Sequence, residues 1–167
     1  MGPPDDLYTI VENNFKNITK YPEPNSKKLK EKLAAKLNLK KENTIIGNGA
    51  TEVIYQLVKE IFPKKVLIVG PTFSEYQYAV ESIGAEVEYY YYSLERDFEL
   101  DLNNLLKKIT INHYDIVFIC NPNNPTGKII ERNKIEMIIK NLYNKNSFLV
   151  IDESFIDFVE KKNEFSA

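Results

Sequence analysis

The sequence predicts an α/β fold with three layers, in which helices cover both faces of a mostly parallel sheet. Short apolar runs typical of buried strands alternate with segments whose apolar residues recur every three or four positions. Such alternation is typical of βαβ units, whose strands are parallel. The chain has 167 residues, 43% of them hydrophobic, which is enough for one sizeable core.

The predicted elements follow one another along the chain. Residues 1–25 contain one amphipathic segment between prolines, Leu7–Ile18, and are interpreted as an arm or lead-in. Ser26 is a plausible N-cap for the first helix of the main body, and Asp101 for a later one. Apolar spacing predicts helices over 26–39, 50–62, 76–83, 102–109 and 135–142, and strands over 44–46, 66–69, 87–92, 116–120 and 148–151.

Composition excludes several classes of protein. The net charge of −2 gives no reason to expect nucleic acid or an anionic membrane surface as a partner. No apolar stretch approaches the roughly 20 residues of a transmembrane helix. The single cysteine, Cys120, excludes an internal disulfide and favours a cytoplasmic location. No cluster of residues has metal-ligand spacing, and His113 is interpreted as a surface residue.

The most informative stretch is Asn-Pro-Asn-Asn-Pro-Thr-Gly at 121–127, directly after the predicted strand Ile116–Cys120. Its two prolines lack N–H donors and fix φ, so the segment can continue neither a strand nor a helix. A stiff loop at the carboxyl end of a buried strand holds its amide side chains at a fixed height, where open α/β sheets bind ligands.

Three other segments follow predicted strands. Gly47–Glu52 opens a helix and could bind a phosphate, or it is an ordinary glycine-rich turn. Tyr76 could stack on a flat ring, or it is a core aromatic. Asp152 ends an apolar strand and could pair with a cationic ring nitrogen, or it is an N-cap or a solvated strand end.

Together the four segments fit pyridoxal 5′-phosphate (PLP) better than a nucleotide. A dinucleotide fingerprint needs a glycine where Glu52 stands. A Walker A loop would need a glycine at Pro122 and a hydroxyl residue at Ile129. A nucleotide-binding α/β domain therefore remains a weaker alternative.

The chain resembles the fold-type I PLP enzymes of the aspartate aminotransferase superfamily. It is most similar to the histidinol-phosphate aminotransferase group and to its L-threonine-O-3-phosphate decarboxylase branch. The resemblance rests on five segments in family order, which are Tyr21–Pro24, Gly47–Glu52, Pro71–Tyr76, Asn121–Gly127 and Asp152–Phe158. It implies that residues 26–167 are part of a large, PLP-binding domain whose sheet is incomplete.

The resemblance also implies roles for single residues. Tyr21 would reach the cofactor phosphate of a neighbouring subunit, so the site would be completed in a homodimer. The other implied cofactor-binding residues are Ala50 and Thr51 for the phosphate, Tyr76 for stacking on the pyridine ring, Asn124 for the ring 3′ oxygen and Asp152 for the ring nitrogen.

One departure from the family pattern favours the decarboxylase branch. Aminotransferases usually carry a tyrosine where this chain has Phe155, which lacks a hydroxyl. The resemblance then implies an enzyme that releases CO₂ from a small phosphorylated amino acid, forming aminopropanol phosphate in cobalamin biosynthesis. Histidinol-phosphate aminotransferase, another class I or II aminotransferase, and a non-catalytic PLP- or phosphate-binding module are the alternatives.

The family's Schiff-base lysine lies in a Ser-x-x-Lys-like motif that would fall beyond Ala167, and a small C-terminal domain would follow it. No catalytic residue is therefore assigned here, and the chain by itself is expected to be inactive, since covalent catalysis would lack its nucleophile. Apolar surface normally covered by the rest of such an enzyme would promote association or poor stability.

Overall fold

The computed structural model describes residues 2–143, 145–161 and 164–166. The chain divides into two compact units, Met1–Ile46 and Gly47–Ala167. The predicted arm and the predicted start of the large domain at residue 26 both fall inside the first unit. The predicted domain limits stay predictions, and their outermost residues, Met1 and Ala167, lie outside the described residues.

The first unit is built from short helices. The predicted amphipathic segment forms helix α1, Leu7–Asn14, continued by a 3-10 turn over Phe15–Thr19, and α1 buries none of its side chains. Helix α2 spans Lys27–Lys36. The predicted N-cap role of Ser26 is wrong, because its left-handed backbone (φ 47°) leaves the side chain without a cap hydrogen bond.

The predicted strand over residues 44–46 is also wrong. These residues have no strand partner within the described part of the chain, and the Ile45 side chain is 68% exposed. They follow a 3-10 turn over Lys41–Asn43, and the Thr44 hydroxyl bonds back to the Lys40 carbonyl at 3.3 Å. Three residues make a strand only where a neighbouring strand supplies hydrogen bonds.

The second unit contains a four-stranded parallel sheet, as the alternating pattern predicts. Its strand order is β2-β1-β3-β4. Ile116 in the third strand lies opposite Val66 on one side and Phe148 on the other. The strands are β1, Lys65–Gly70; β2, Glu86–Tyr91; β3, Ile116–Cys120; and β4, Phe148–Asp152.

Helices cover both faces of this sheet, which confirms the predicted three layers. One face packs against α3, Ala50–Ile61, and α4, Glu75–Glu81. The other packs against α5, Leu102–Ile111, and α6, Arg132–Tyr143. The Asp101 carboxylate accepts the Asn104 N–H at 3.1 Å, so its predicted N-cap role is confirmed.

The parallel topology places the carboxyl ends of all four strands at one edge of the sheet. Gly70, Cys120 and Asp152 end their strands there, and the predicted site segments follow them. Among the described residues, no helix has both the length and the apolar character needed to cross a membrane.

Candidate functional site

The loops at the carboxyl edge of the sheet are hydrogen-bonded to one another. The Asn123 side chain donates to the Pro71 carbonyl at 2.9 Å, which joins the loop after β3 to the loop after β1. The Asn121 N–H donates to the Asp152 carbonyl at 2.9 Å and thereby continues the β3–β4 ladder. Three of the four predicted site segments are thus brought together.

The half-buried Asp152 carboxylate is held by donors from two elements. Its Oδ2 accepts the Tyr76 hydroxyl, on α4, at 2.7 Å. Its Oδ1 accepts the backbone N–H and the hydroxyl of Ser154, at 2.9 and 2.5 Å. Burial first, and then the bond to Asp152, raise the pKa of Tyr76, so the phenol keeps its proton and remains a donor.

The ring of Tyr76 belongs to the core. It is 0% exposed and lies parallel to the Phe118 ring, with centroids 4.9 Å apart. Neither face is open as the side chain stands, so stacking on a ligand would require it to move, and that role stays a prediction. Sequence reasoning overlooked Phe73, a half-buried aromatic in the loop after β1, whose ring meets that of Tyr76 edge-on at 5.7 Å.

The Cys120 thiol lies in the middle of this group of residues. It donates to the Pro122 carbonyl at 3.2 Å and is 2% exposed. Burial raises the pKa of Cys120, while the Asn124 N–H and the Tyr76 hydroxyl oppose that rise. The predicted burial of this cysteine is confirmed, and its raised pKa keeps it in the unreactive thiol form.

The three asparagines of the 121–127 loop have different environments. Asn121 is 0% exposed, and its amide bonds within the protein. Asn123 is 3% exposed; its nitrogen donates to Pro71 and Thr126, but its Oδ1 is buried and has no partner in the part of the chain that the structure describes. Asn124 is half-buried and lines an open cleft, so it is the asparagine best placed to meet a ligand.

That cleft has a volume of about 440 Å³ and separates the 121–127 loop from the segment after β4. Asn123, Asn124 and Pro125 line one side. The other side carries Phe155 and Phe158, whose ring centroids are 6.2 Å apart. The cleft therefore combines two amides with two aromatic rings, which suits a flat ring with a polar substituent, but Asp152 is not among its lining residues.

The fourth predicted segment forms the amino end of α3. Gly49 precedes the helix with φ 87°, a conformation that favours glycine, and α3 begins at Ala50. A Cβ at Gly47 would lie 2.6 Å from the Val53 side chain, so a larger residue would not fit without a shift. Thr51 is exposed in the first turn, where free backbone N–H groups favour an anion.

Glu52 occupies part of this helix terminus. Its carboxylate accepts the Asn48 N–H on one oxygen and the Gln56 amide, at 3.0 Å, on the other. One turn further on, the Tyr55 hydroxyl donates to Glu75, the residue before Tyr76, at 3.4 Å. The start of α3 is thereby connected to the residues around Asp152.

Tyr21 belongs to the first unit and is 93% exposed. Within the described residues of the first unit, no side chain or backbone group forms a hydrogen bond with Tyr21, so its hydroxyl is available to a partner. Its predicted role toward a neighbouring subunit stays a prediction.

The residues of the second unit fit the group that the sequence predicts. Asp152 has a carboxylate that could pair with a ring nitrogen, Asn124 has an amide that could meet a ring oxygen, and the start of α3 has N–H groups that could bind a phosphate; these roles stay predictions. Two buried polar atoms at the same edge, Thr72 Oγ1 and Asn123 Oδ1, have no hydrogen-bond partner among the described residues and could accept a hydrogen bond from a ligand or water. Within the described residues, no group of three or more His, Cys, Asp or Glu could hold a metal.

Comparison with known proteins gives a consistent result. A model of the family described as aminotransferase class I and II matches residues 5–167. The histidinol-phosphate aminotransferase of Methanococcus aeolicus is 35% identical over 153 residues, covering 90% of this chain and 40% of that protein. A putative threonine-phosphate decarboxylase of Caldanaerobacter subterraneus is 33% identical over 167 residues, covering 100% and 44%.

Solved structures share the fold. The histidinol-phosphate aminotransferase of Clostridium acetobutylicum matches with a TM-score of 0.82 and 30% identity, covering 98% of this chain and 47% of that one. The chain therefore spans less than half of the length of the relatives that it matches.

Proposed function

The chain belongs to the aminotransferase class I and II family, and on that premise we propose that its second unit is the PLP-binding part of an amino-acid-transforming enzyme. Family members are PLP-dependent aminotransferases or decarboxylases. The observation that carries the proposal is the Asp152 carboxylate, fixed by Tyr76 and Ser154 at the carboxyl edge of the sheet beside the Asn124 loop.

The chain's own residues have separate roles in this proposal. The first-turn amides of α3, at Ala50 and Thr51, bind the phosphate together with the Thr51 hydroxyl. The Asn124 amide donates to the ring oxygen, and Asp152 pairs with the ring nitrogen. When bound, PLP supplies an electron sink for the substrate's reacting carbon.

An aromatic side chain completes the ring site in this proposal. The residue first expected to stack is Tyr76, but its ring is covered by Phe118. Phe73 is half-buried in the loop after β1 and would offer an aromatic face with less rearrangement. Stacking by Tyr76 and stacking by Phe73 are both proposals. Phe73→Ala distinguishes them, because it removes the Phe73 ring and leaves the Tyr76 side chain in place, so it should weaken PLP binding only if Phe73 stacks on the ring.

The proposed reaction of the whole protein is decarboxylation of L-threonine-O-3-phosphate, which yields aminopropanol phosphate for cobalamin biosynthesis. Its support is Phe155, which lines the cleft opposite Asn124 and brings no hydroxyl to it. Transamination of histidinol phosphate is the second candidate, since relatives with that name match equally well. Assaying the whole protein for CO₂ release from O-phospho-L-threonine and for transamination of histidinol phosphate distinguishes the two.

We further propose a cytoplasmic homodimer in which Tyr21 reaches the phosphate of the partner's site. The exposure of Tyr21 and the free, buried Cys120 are consistent with this. The 167-residue chain alone is expected to release no CO₂ from O-phospho-L-threonine above a protein-free blank. Lys128, which directly follows the 121–127 loop, forms an ion pair with Asp97.

PLP titration of the chain, followed by absorbance, tests the cofactor assignment. The wild-type chain should bind PLP, and Asp152→Asn should weaken binding about tenfold or more, since loss of a charged partner costs roughly 1.4 kcal/mol or more. Asp101→Asn is the matched control, because asparagine also caps a helix and Asp101 lies at the start of α5. A wild-type chain without PLP affinity, or equal affinity in Asp152→Asn, would contradict the assignment.

A further inference from the structure

Both oxygens of the Asp152 carboxylate are engaged before any ligand arrives. Oδ2 is bonded to Tyr76 on α4, and Oδ1 to Ser154 in the segment after β4. We propose that Tyr76 and Ser154 are positioning residues that fix the direction from which Asp152 meets the ring nitrogen of PLP. This inference rests on the proposed function and deepens it.

Tyr76 is suited to this task because its ring is buried and packs against two aromatic neighbours. It is 0% exposed, parallel to Phe118 and edge-on to Phe73, in the cluster that packs α3 and α4 on the sheet. A phenol fixed in this way holds its hydroxyl at one point, 2.7 Å from Oδ2. Burial raises the pKa of Tyr76, so the phenol keeps its proton at neutral pH and remains a donor.

Ser154 fixes the other oxygen. Its N–H and its hydroxyl both donate to Oδ1, so the backbone two residues after Asp152 sets the position of this atom. The terminal torsion of an aspartate is broad and otherwise free to turn. With one oxygen tied to α4 and the other to the β4 loop, the plane of the carboxylate is set.

The acceptor positions of the Asp152 carboxylate limit how a ring nitrogen can bind to it. An ionised carboxylate offers about four lone-pair positions. Within the described residues Asp152 uses three of them, for the Tyr76 hydroxyl and the two donors of Ser154. One acceptor position on Oδ2 is thus left for a ring N–H, which would restrict its direction of approach. Loss of the Tyr76 hydroxyl or of the Ser154 hydroxyl would leave one carboxylate oxygen less firmly held, so the ring N–H and Asp152 would meet in a wider range of orientations.

The test follows the ring nitrogen itself. PLP labelled with ¹⁵N in the ring is bound to the full chain, and its nitrogen signal is compared in wild type, Tyr76→Phe and Ser154→Ala at one pH. In each variant we expect the signal to move from the protonated toward the unprotonated position, and PLP affinity to fall about three- to tenfold. Because the Ser154 side chain is exposed, Ser154→Ala keeps the test valid if Tyr76→Phe fails to fold.

Tyr89→Phe is the matched control. This variant also removes a phenol hydroxyl that bonds to α4, since the Tyr89 hydroxyl donates to the Gln77 side chain at 2.8 Å. Tyr89 is not among the donors to Asp152 described above. The nitrogen signal in this variant should equal that of wild type. If both donor variants keep the wild-type signal and affinity while Asp152→Asn loses PLP, the positioning inference is overturned and the proposed function stands. A wild-type chain that does not bind PLP overturns both.

Discussion

Both the nitrogen and the oxygen of the Asn121 side-chain amide form hydrogen bonds that hold the loop after β3 in place. Its nitrogen donates to the carbonyls of Ile130 and Phe165, both at 3.1 Å, and its oxygen accepts the Ile130 N–H at 2.7 Å. All of these groups lie at or near the buried side of the loop, where water cannot replace a lost partner. The stiffness of the loop thus depends on a fully buried side chain whose amide bonds only within the protein.

Replacing Asn121 by alanine should therefore reduce stability. The Ile130 N–H and carbonyl would remain buried without their partner, which costs about 1–3 kcal/mol for each unsatisfied group. We expect the free energy of unfolding of Asn121→Ala to fall by about 2–4 kcal/mol, measured by urea denaturation. Asn124→Ala, which truncates an amide facing the cleft, is the control and should change it by less than about 1 kcal/mol. Equal losses in the two variants would contradict the assignment.

These residues show what could be predicted about the site. The sequence indicates which loops meet, because parallel strands bring their carboxyl ends to one edge. It does not indicate which of three asparagines is free, because the partners of Asn121 lie at Ile130 and Phe165 and are fixed only by folding. For the same reason the bond between Tyr76 and Asp152 joins residues 76 positions apart and was not predicted.

At the scale of helices and strands, a cluster of charges around Glu88 on β2 connects several elements toward the amino ends of the strands. Lys65 of β1 bonds to Glu88 at 3.0 Å, and Lys108 of α5 bonds to its other oxygen. The Tyr114 hydroxyl, just before β3, adds a third donor at 2.9 Å. One carboxylate thus connects two strands, a helix and the lead-in to a third strand.

This cluster makes stability depend on pH. The bonds from Lys108 and then Lys65 lower the pKa of Glu88 from its ordinary value of 4.5 to about 2. Since the folded-state pKa is the lower one, the stabilisation is complete above the unfolded-state value and is lost as the pH falls through about 2. Glu88→Gln should be less stable than wild type at pH 7, and the difference should shrink between pH 4.5 and pH 2 in urea denaturation. Glu86 is more exposed than Glu88 and forms one ion pair, with Lys65, among the described residues, so Glu86→Gln should show a smaller change.

Among the elements, those with strong periodicity were predicted well. Strand β3 has the predicted limits, and α3 ends one residue before its predicted end, because apolar runs and amphipathic faces are local properties of the sequence. The strand predicted at residues 44–46 failed because a strand exists only through its neighbours. Ser26 failed as a cap because cap geometry depends on backbone angles that residue type does not fix.

On the scale of the whole molecule, β4 is an edge strand with an apolar surface. Within the described residues it pairs with β3 alone, and its residues are half-buried or exposed. Phe148 at its start is 55% exposed. A pocket of about 260 Å³ beside it is lined by Leu149, Ile151 and apolar residues of α6. An open strand edge with apolar neighbours is a template for pairing with another chain.

We therefore predict that the 167-residue chain self-associates through β4, and that a charge on this edge reduces association. Phe148→Lys should raise the dissociation constant about tenfold, equivalent to 1.4 kcal/mol, because a lysine on an edge strand opposes pairing and removes exposed apolar area. Sedimentation equilibrium over a range of protein concentrations measures this. Leu94→Lys is the control, since Leu94 is 75% exposed but lies in a 3-10 turn away from β4. If both variants weaken association equally, association depends on general hydrophobicity and not on β4. A monomeric wild-type chain would contradict the prediction, because an unpaired apolar strand edge would then be stable in water.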